Sequence, residues 1–333
     1  MHEEVLIIFI LINIPIVLFN KKIVKFININ DSADGFRKFH KNSVPLFGGI
    51  LITYNLFVFT FLDHFVDLNP VQIFFNTREY LSFHFGIMLC IFLGLYDDKF
   101  NLSPTKKLFF NFCIILFLIL LDDSLVIKEL SFSFIENQIE LKNISYLFTI
   151  LCVLLFINAL NMFDGINLQA GTYCLLIMAI FIIKEVYIFI NLIIFFSLIL
   201  FLIYNFFNKA FLGDSGVQVL AFIVSYTFIK SHNISSSFTP EEIFIILAFP
   251  GLDMFRLFLF RILKGRHPFY PDVNHLHHLI AKKKNKLIAY IINFLAIFIN
   301  IILFYTITNK IIVLSVVLIL YVALFLTFKE KSK

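Results

Sequence analysis

Long apolar runs separated by short polar stretches dominate the chain. Helices are the expected structure of these runs, because backbone polar groups in lipid must be satisfied within their own segment. A helix needs about 20 apolar residues to cross a bilayer, with a range of roughly 17–25. The pattern therefore predicts an all-α polytopic integral membrane protein with about 10–11 transmembrane helices. The runs cover about residues 4–20, 44–62, 80–96, 107–121, 144–161, 169–183, 186–203, 216–230, 241–262, 286–304 and 308–328.

The composition supports this architecture. Hydrophobic residues make up 60% of the 333 residues and charged residues only 15%, with a mean hydropathy of +0.93. A soluble domain is nearer half apolar and a quarter charged. The N-terminus has no basic region and no small-residue cleavage site, so we expect the first run to be a retained helix. No Pro/Gly-rich linker or tandem repeat divides the chain, which favours one membrane-embedded domain over residues 1–333.

Basic residues are distributed unevenly between the two sides of the predicted bilayer. If the loop at residues 21–43 is cytoplasmic, then alternate loops and the C-terminal tail hold twenty lysines and arginines. The opposite loops hold six, with Lys230 counted among them. Cytoplasmic loops of membrane proteins carry the excess of Lys and Arg. The count therefore predicts a periplasmic N-terminus and a cytoplasmic C-terminus.

Two polar clusters lie at the predicted cytoplasmic ends of the second and third helices. The first joins the basic residues Arg37, Lys38 and His40 to a Pro-Leu-Phe-Gly-Gly segment ending at residue 49. Basic residues here can simply fix topology or touch anionic lipid, but glycines at a helix N-terminus also suit phosphate binding. The second cluster is the pair Asp97 and Asp98. Adjacent carboxylates at membrane depth are costly unless paired, hydrated or bound to metal; a solvated helix end is the simpler alternative, and the opposite-side pair at 122–123 fits that interpretation.

The third and fourth clusters also fall on the cytoplasmic side. Asn158, Asn161 and Asp164 are spaced so that a helix places them on one face. An Asp-Gly turn alone does not require the two asparagines, so this spacing favours a polar site. In the fourth cluster, Asn205 and Lys209 precede a Gly-Asp-Ser-Gly segment that contains Asp214. A carboxylate on a flexible backbone at a helix N-terminus suits Mg²⁺ with phosphate oxygens, although a plain turn is also consistent.

The fifth cluster is a long polar loop that contains four of the nine histidines. It runs from Asp253, Arg256 and Arg261 through Arg266 to the segment His275-Leu276-His277-His278. Histidines among basic residues suit phosphate contact or acid–base chemistry. A zinc site is the alternative, but the chain has neither an HExxH helix nor a cysteine nearby. Together the five clusters supply carboxylates, cations and glycines on one side, an inventory typical of phosphoryl transfer.

In this order the clusters resemble a known family. RKFH…PLFGG, GLYDDKFNLSP, NALNMFDGIN, NKAFLGDSG and PDVNHLHH are similar to the motifs of the polyprenyl-phosphate N-acetylhexosamine-1-phosphate transferases, over roughly residues 20–280. The resemblance implies transfer of a sugar-1-phosphate from a UDP-sugar to undecaprenyl phosphate, with release of UMP. It implies Mg²⁺, with Mn²⁺ as a substitute, as the cofactor, and a multi-pass protein of the bacterial inner membrane whose active site faces the cytoplasm. The related peptidoglycan enzyme is the nearest rival, but the HLHH ending favours the N-acetylhexosamine branch.

The resemblance also assigns roles to residues. Asp97, Asp98 and Asp164 are the implied catalytic carboxylates, and Asp214, with Asp98, is the implied metal ligand. Asn167 departs from the family pattern, because many members carry a second aspartate there. Direct attack by the lipid phosphate and a covalent route through Asp98 or Asp164 both stay open. The implied substrate-binding residues are Arg37, Lys38, His40, Asn158, Asn161, Asn205, Lys209, Arg266, His275, His277 and His278.

The expected partners follow from the same reasoning. They are undecaprenyl phosphate, a UDP-sugar and membrane lipid, with no nucleic acid and with a homodimer as a possible assembly. The product would begin a cell-envelope polysaccharide such as a lipopolysaccharide O-antigen or a cell-wall polymer. A lipid-linked-sugar flippase would need polar residues across the whole membrane, and a membrane metalloprotease would need the absent HExxH; both are weaker alternatives.

Overall fold

The computed structural model describes residues 2–31, 43–66, 74, 76–268 and 272–329. The basic residues Arg37, Lys38 and His40 lie outside these described residues, so their predicted role stays a prediction. The helices are α1 (His2–Ile27), α2 (Gly48–Val66), α3 (Thr77–Phe100), α4 (Pro104–Leu121), α5 (Ser145–Phe163), α6 (Gln169–Ile183), α7 (Ile188–Phe206), α8 (Gly213–Asn233), α9 (Pro240–Leu263), α10 (Leu276–Lys283), α11 (Lys286–Thr306) and α12 (Lys310–Phe328).

All eleven predicted helices are present, and the all-α polytopic prediction is confirmed. In the described part of the chain, seven helical stretches are long and apolar enough to cross a membrane, and three apolar stretches are shorter. The seven are α3, α4, Lys142–Phe163, α7, α9, α11 and α12, and the shorter three are Leu6–Leu18, Gly48–Asp63 and Gln169–Ile183. Helix α8 falls in neither group. The orientation across the bilayer stays a prediction.

Regular structure outside the long helices is short. Strands β1 (Asn30–Asp31) and β2 (Val44–Pro45) pair antiparallel, as do β3 (Glu129–Leu130) and β4 (Ile139–Glu140). Helix α10 was not predicted, because its eight residues are too few and too polar to form an apolar run. Histidines that the sequence placed in a loop therefore lie at the start of a helix.

The chain divides into two compact units. The first comprises Met1–Ser103 and Cys174–Val224. Within it α2 packs against α1, α3 and α7, and the rings of Phe9, Phe59 and Phe189 form part of a buried cluster between α1, α2 and α7. The Asn13 side-chain amide donates to Asn55 Oδ1 at 2.7 Å, and such bonds hold helices together where lipid offers polar groups no partner.

The second unit comprises Pro104–Tyr173 and Ser225–Lys333, in which α9 packs against α5, α11 and α12. A buried ion pair joins Lys230 Nζ to Asp122 Oδ2 at 2.8 Å. Lys230, which the topology count assigned to the opposite-side loops, lies instead in the last turn of α8, because the helix extends past the apolar run to Asn233. The pair at residues 122–123 is also split: Asp122 is buried, and the exposed Asp123 pairs with Lys128.

Candidate active site

In the first unit, the Asp98 carboxylate lies at the N-terminus of α8. Its Oδ1 accepts a hydrogen bond from the Asp214 N–H at 2.7 Å, and its Oδ2 accepts one from the Ser215 N–H at 3.1 Å. The first N–H groups of a helix have no partner within the helix and attract negative charge. Asp98 thus fixes the Gly-Asp-Ser-Gly segment, and a contact across 116 residues brings together two of the predicted aspartates.

Asp97 faces a different way from its neighbour. Its carboxylate is buried, and Oδ1 accepts a hydrogen bond from the Leu102 N–H at 2.7 Å. Adjacent residues on a helix point about 100° apart, so the two aspartates do not share a face. The bond to Leu102 stabilises the turn between α3 and α4, in which Asn101 adopts a left-handed conformation with φ of 52°.

Glycines allow the helix ends around Asp214 to approach one another closely. A Cβ added at Gly94 would lie 2.3 Å from Ser215 Cα, and one added at Gly49 would lie 2.4 Å from the Gly216 nitrogen. Real Cβ atoms essentially never approach other atoms so closely. The backbones of α2, α3 and α8 therefore meet at positions where only glycine fits.

This packing corrects the interpretation of the Gly-Gly segment as a phosphate cradle. The Gly48 N–H donates to the Phe211 carbonyl at 3.0 Å, and the Gly49 N–H donates to the Leu212 carbonyl at 3.3 Å. These amides are already occupied by protein acceptors. At Gly48 and Gly49 the lack of a Cβ therefore allows close contact with neighbouring backbone.

The residues present fit a divalent cation. Asp98 and Asp214 are close enough for their like charges to repel, and a bound cation would relieve that repulsion. Mg²⁺ is usually held by one or two protein carboxylates together with substrate phosphates and water. The pair Asp98 and Asp214 provides that number of carboxylates.

Asn205 and Lys209 flank the turn that leads to this segment. The Asn205 side-chain amide donates to the Ala210 carbonyl at 2.8 Å, which closes the turn after α7. Lys209 is exposed, and its Nζ lies 5.5 Å from the centre of the Phe207 ring. The Asn205 side chain thus stabilises the turn, and the charged side chain of Lys209 is exposed next to it.

In the second unit, the predicted asparagine face ends at the Asp164-Gly165 turn. Asn158 is half-buried and donates to the Leu154 carbonyl at 2.7 Å, and Asn161 lies one turn later, also half-buried. Asp164 caps the C-terminus of α5, and its N–H donates to the Leu160 carbonyl. Asn158 and Asn161 thus lie in the last turns of the helix and Asp164 follows directly after it; that the three side chains share one face stays a prediction.

The three predicted histidines form one cluster of rings. The ring centroids of His277 and His278 are 4.2 Å apart, and those of His275 and His277 are 5.4 Å apart. His277 is fully buried against the Asp164-Gly165 turn: a Cβ on Gly165 would lie 1.9 Å from its Nε2. The structure therefore unites the third and fifth sequence clusters through His277.

Gln169 determines the protonation of His277. Its Nε2 donates to the Phe163 carbonyl at 2.7 Å and lies 3.2 Å from His277 Nδ1, and its Oε1 accepts from Asn293 at 2.8 Å. An amide nitrogen only donates, so Nδ1 accepts and the proton of the neutral ring is on Nε2. Burial lowers the pKa of His277 well below its ordinary value, and the nearby His278 and His275 lower it further. His277 is therefore neutral at pH 7.

His278 is less buried and is also neutral at pH 7. Burial, followed by the charges of His275 and Lys286, lowers its pKa to about 4, and Asp253 and Asp272 oppose this shift only in part. Its folded pKa is thus below the ordinary value of about 6.5, so the unfolded chain binds more protons between these pH values. Stability contributed by His278 is present above about pH 6.5 and is lost as the pH falls towards 4.

We expect this linkage to be measurable in detergent. The melting temperature should fall between pH 7 and pH 5, and His278→Gln should reduce that fall because glutamine does not titrate. His267→Gln is a suitable control, since His267 is exposed. An equal fall in wild type and His278→Gln would contradict the assignment.

The polar loop before α10 is held by an ion pair. Arg261 Nε donates to Asp272 Oδ2 at 2.9 Å, and Arg261 Nη1 donates to the Pro268 carbonyl at 2.6 Å. Burial opposes ionisation of Asp272, but hydrogen bonds from Arg261 and the Asn274 N–H outweigh it and lower the pKa. Arg266 is exposed on the same loop. Arg261 and Asp272 thus shape the segment that presents Arg266.

Several residues around the histidines were missed or left without a role by sequence reasoning. Asp253 is buried and bonds to His275, and Tyr321 on α12 bonds to Asp253. Gln169 and Asn293 bond as described above. Asn293 and Tyr321 lie singly within apolar helices, and an isolated polar residue is the only sequence signal that could have indicated them.

The described residues do not provide a set of ligands for the alternative zinc site. Within the part of the chain that the structure describes, no group of three or more His, Cys, Asp or Glu side chains could hold a metal ion. His275 Nδ1 and His277 Nδ1 are committed to Asp253 and Gln169. The histidine cluster is thus built around protein hydrogen bonds.

Comparison with known proteins points in one direction. A family model described as glycosyl transferase family 4 matches residues 80–232. An Escherichia coli (strain K12) undecaprenyl-phosphate alpha-N-acetylglucosaminyl 1-phosphate transferase is 28% identical over 281 residues, which cover 79% of this chain and 72% of the relative. A Yersinia pestis protein of the same name is 26% identical over 295 residues, which cover 85% of this chain and 77% of the relative.

A Gram-positive relative extends the similarity. A Bacillus subtilis (strain 168) protein named "Probable undecaprenyl-phosphate N-acetylglucosaminyl 1-phosphate transferase" is 26% identical over 275 residues, covering 78% of this chain and 73% of the relative. The family match includes Asp97, Asp98, Asp164 and Asp214. These findings confirm the resemblance that the motifs indicated: residues 80–232 match the glycosyl transferase family 4 model, and most of the chain is similar in sequence to the undecaprenyl-phosphate N-acetylglucosaminyl 1-phosphate transferases.

Proposed function

We propose that the protein transfers an N-acetylhexosamine-1-phosphate from a UDP-sugar to undecaprenyl phosphate and releases UMP. The relatives carry this acceptor and this transferred group in their names. The reaction would be the first membrane step of a cell-envelope polysaccharide, at the cytoplasmic face of a bacterial inner membrane. UDP-sugars are made in the cytoplasm and a polyprenyl phosphate is reached from the bilayer, which suits a polytopic protein with its polar groups at helix ends.

The observation that carries the proposal is the meeting of Asp98 and Asp214 at the N-terminus of α8. Phosphoryl transfer depends on positioning and on neutralising phosphate charge. When bound, Mg²⁺ would supply charge neutralisation at the pyrophosphate of the donor. Asp214 and Asp98 would hold it, and the Asp98 hydrogen bonds fix the backbone that carries Asp214.

Other residues would bind the two substrates. Exposed Lys209 and Arg266 offer cations for phosphate oxygens. The Asp164-Gly165 turn, packed against the buried His277, would present the Asp164 carboxylate at the end of α5. Because His278 is half-buried and neutral at pH 7, we expect it to contact the donor as a hydrogen-bonding group. Contact of the fully buried His277 with the donor stays a prediction.

Direct attack by the lipid phosphate is the favoured route. A phosphate monoester has a second pKa of about 6, so the acceptor is already an anion at neutral pH and needs no strong general base. Both Asp98 oxygens accept backbone N–H groups, which spreads their charge and makes Asp98 a poor nucleophile. This argues against a covalent intermediate on Asp98.

Turnover by the purified protein tests the proposal. Protein in detergent with undecaprenyl phosphate and UDP-N-acetylglucosamine should release UMP and form a lipid-linked sugar phosphate. The reaction should stop with EDTA and return with Mg²⁺ or Mn²⁺. UDP-N-acetylgalactosamine and UDP-N-acetylmuramoyl-pentapeptide should be compared as donors, because the second is the substrate type of the related peptidoglycan enzyme.

Two results would contradict the proposal. Absence of UMP release with every donor would exclude the reaction. Efficient use of the muramoyl-pentapeptide donor alone would move the protein to the peptidoglycan branch. Omission of undecaprenyl phosphate is the matched control, because UMP formed without acceptor would report hydrolysis of the donor.

A further inference from the structure

A polar network at the side of α9 holds the start of the histidine segment. Asp253 Oδ1 accepts hydrogen bonds from Arg256 Nη2 at 2.7 Å and from the Tyr321 hydroxyl at 2.9 Å. Asp253 Oδ2 lies 3.0 Å from His275 Nδ1. The Leu276 N–H also points at this carboxylate, 3.2 Å from Oδ1. One buried carboxylate thus joins α9, α10 and α12.

The network determines which nitrogen of His275 is left for a ligand. A carboxylate that accepts from an arginine is ionised and only accepts, so His275 Nδ1 must donate to it. Nε2 is then the ring nitrogen that can meet a substrate. His275 is also the N-cap of α10, and the Asp253 charge lies beside the first N–H of that helix, which stabilises its N-terminus.

Arg256 and Tyr321 hold Asp253 from the other side. Arg256 Nε donates to the Tyr321 hydroxyl at 2.9 Å, and Arg256 Nη2 also donates to the Asn274 carbonyl at 2.8 Å. The guanidinium lies 4.4 Å from the centre of the Phe325 ring, a distance at which a cation is attracted to the ring face. Tyr321 is buried, so helix α12 closes the network with a single hydroxyl.

We propose that Asp253, Arg256 and Tyr321, here named the α9–α12 clamp, are positioning residues that orient His275 and the first turn of α10 for the donor substrate. The inference rests on the proposed function, because it is His275 that would contact the UDP-sugar. It gives α12, which contains none of the five motifs, a direct part in building the site.

Tyr321→Phe tests the clamp with the smallest change. It removes one hydroxyl that donates to Asp253 and accepts from Arg256, while the ring that packs on Phe249 remains. Tyr305→Phe is the matched control, because Tyr305 lies on the neighbouring α11 and is 45% exposed. Hydrogen exchange of the peptide that spans the start of α10 should be faster in Tyr321→Phe and unchanged in Tyr305→Phe.

Donor kinetics then distinguish a role of Tyr321 in positioning His275 from a general loss of protein stability. Tyr321→Phe should lower kcat/KM for UDP-N-acetylglucosamine about tenfold. In a His275→Ala background the same substitution should have little further effect, because residues that act through one another are not additive. If His275→Ala leaves no measurable turnover, donor binding can be measured instead. The increase in melting temperature caused by UDP-N-acetylglucosamine is then compared among the wild type, the two single variants and the double variant.

The outcomes are distinct. Unchanged exchange at α10 in Tyr321→Phe would overturn the clamp. Faster exchange with an undiminished effect of Tyr321→Phe in the His275→Ala background would overturn action through His275. Absence of both turnover and donor binding in the wild type would overturn the proposed function and the donor-directed role of the clamp, whereas the exchange result would still decide whether the clamp holds α10.

Discussion

Asp98→Asn is expected to lower turnover by about 100-fold or more while leaving the helices intact. Asparagine has the shape of aspartate but offers one oxygen and one NH₂ group. One of the two N–H groups at Asp214 and Ser215 would then face another donor. The substitution also removes the negative charge at the N-terminus of α8, worth about 0.3–1 kcal/mol in exposed sites and up to about 2 kcal/mol where partly buried. UMP release at saturating donor and acceptor is the measurement.

The matched control is Asp123→Asn. Asp123 is an exposed aspartate that pairs with Lys128 in a loop, and its loss should leave turnover near the wild-type rate. Circular dichroism and gel filtration in detergent would show that both variants are folded. If Asp98→Asn kept more than half of the wild-type activity, the assignment of Asp98 to the active site would be wrong.

Gly94→Ala is expected to be strongly disruptive, because among the described glycines an added Cβ at Gly94 lies nearest to a backbone atom. The new Cβ would lie 2.3 Å from Ser215 Cα and 2.6 Å from the Ser215 nitrogen, both backbone atoms that cannot rotate away. The N-terminus of α8 must move, and with it the hydrogen bonds to Asp98. Overpacking typically costs about 1–3 kcal/mol, and we expect a cost at the upper end together with a loss of most activity.

Gly251→Ala provides the matched control for that methyl. Gly251 lies inside α9, and nothing is within 4 Å of a Cβ built there. Alanine is favoured over glycine within a helix by roughly 0.5–1 kcal/mol, so this variant should be as stable as wild type or slightly more stable. Melting temperature and turnover, measured for both variants, check the contrast. A Gly94→Ala protein with wild-type melting temperature and activity would refute the close approach of α3 and α8.

The helices could be predicted from the sequence because the bilayer imposes a simple rule. An apolar run of sufficient length has one structure available to it in lipid, and each of the eleven runs contains a helix, although the run at 44–62 begins with strand β2 and its helix starts at Gly48. The ends of α3 extend beyond the run, to residues 77 and 100, because the Asn76 side chain caps the N-terminus and the helix ends only where Asn101 turns left-handed. Helix α10 was not predicted, because it is short and polar and therefore forms no apolar run.

The site could be predicted only in its residue types. The Gly-Asp-Ser-Gly segment was expected to lie at a helix N-terminus, and it does so at the start of α8. No local pattern showed that Asp98 would cap that helix, because the partners are far apart in sequence. The hydroxyl of Tyr321, within an apolar run, was marked only as an isolated polar group, and nothing in the sequence showed that it would bond to Asp253. The glycines were recognised as sites of close approach, but the structure brings backbone to them where a phosphate was expected.

Helix α8 has a consequence for how the protein is made. It is not among the seven described helices that are long and apolar enough to span a membrane, and it carries Gln218 and Lys230 fully buried. A translocon that releases helices by their own preference for lipid would hold α8 poorly. Its insertion should therefore depend on helices made before and after it. We expect the segment that bears Asp214 to be inserted together with those neighbouring helices.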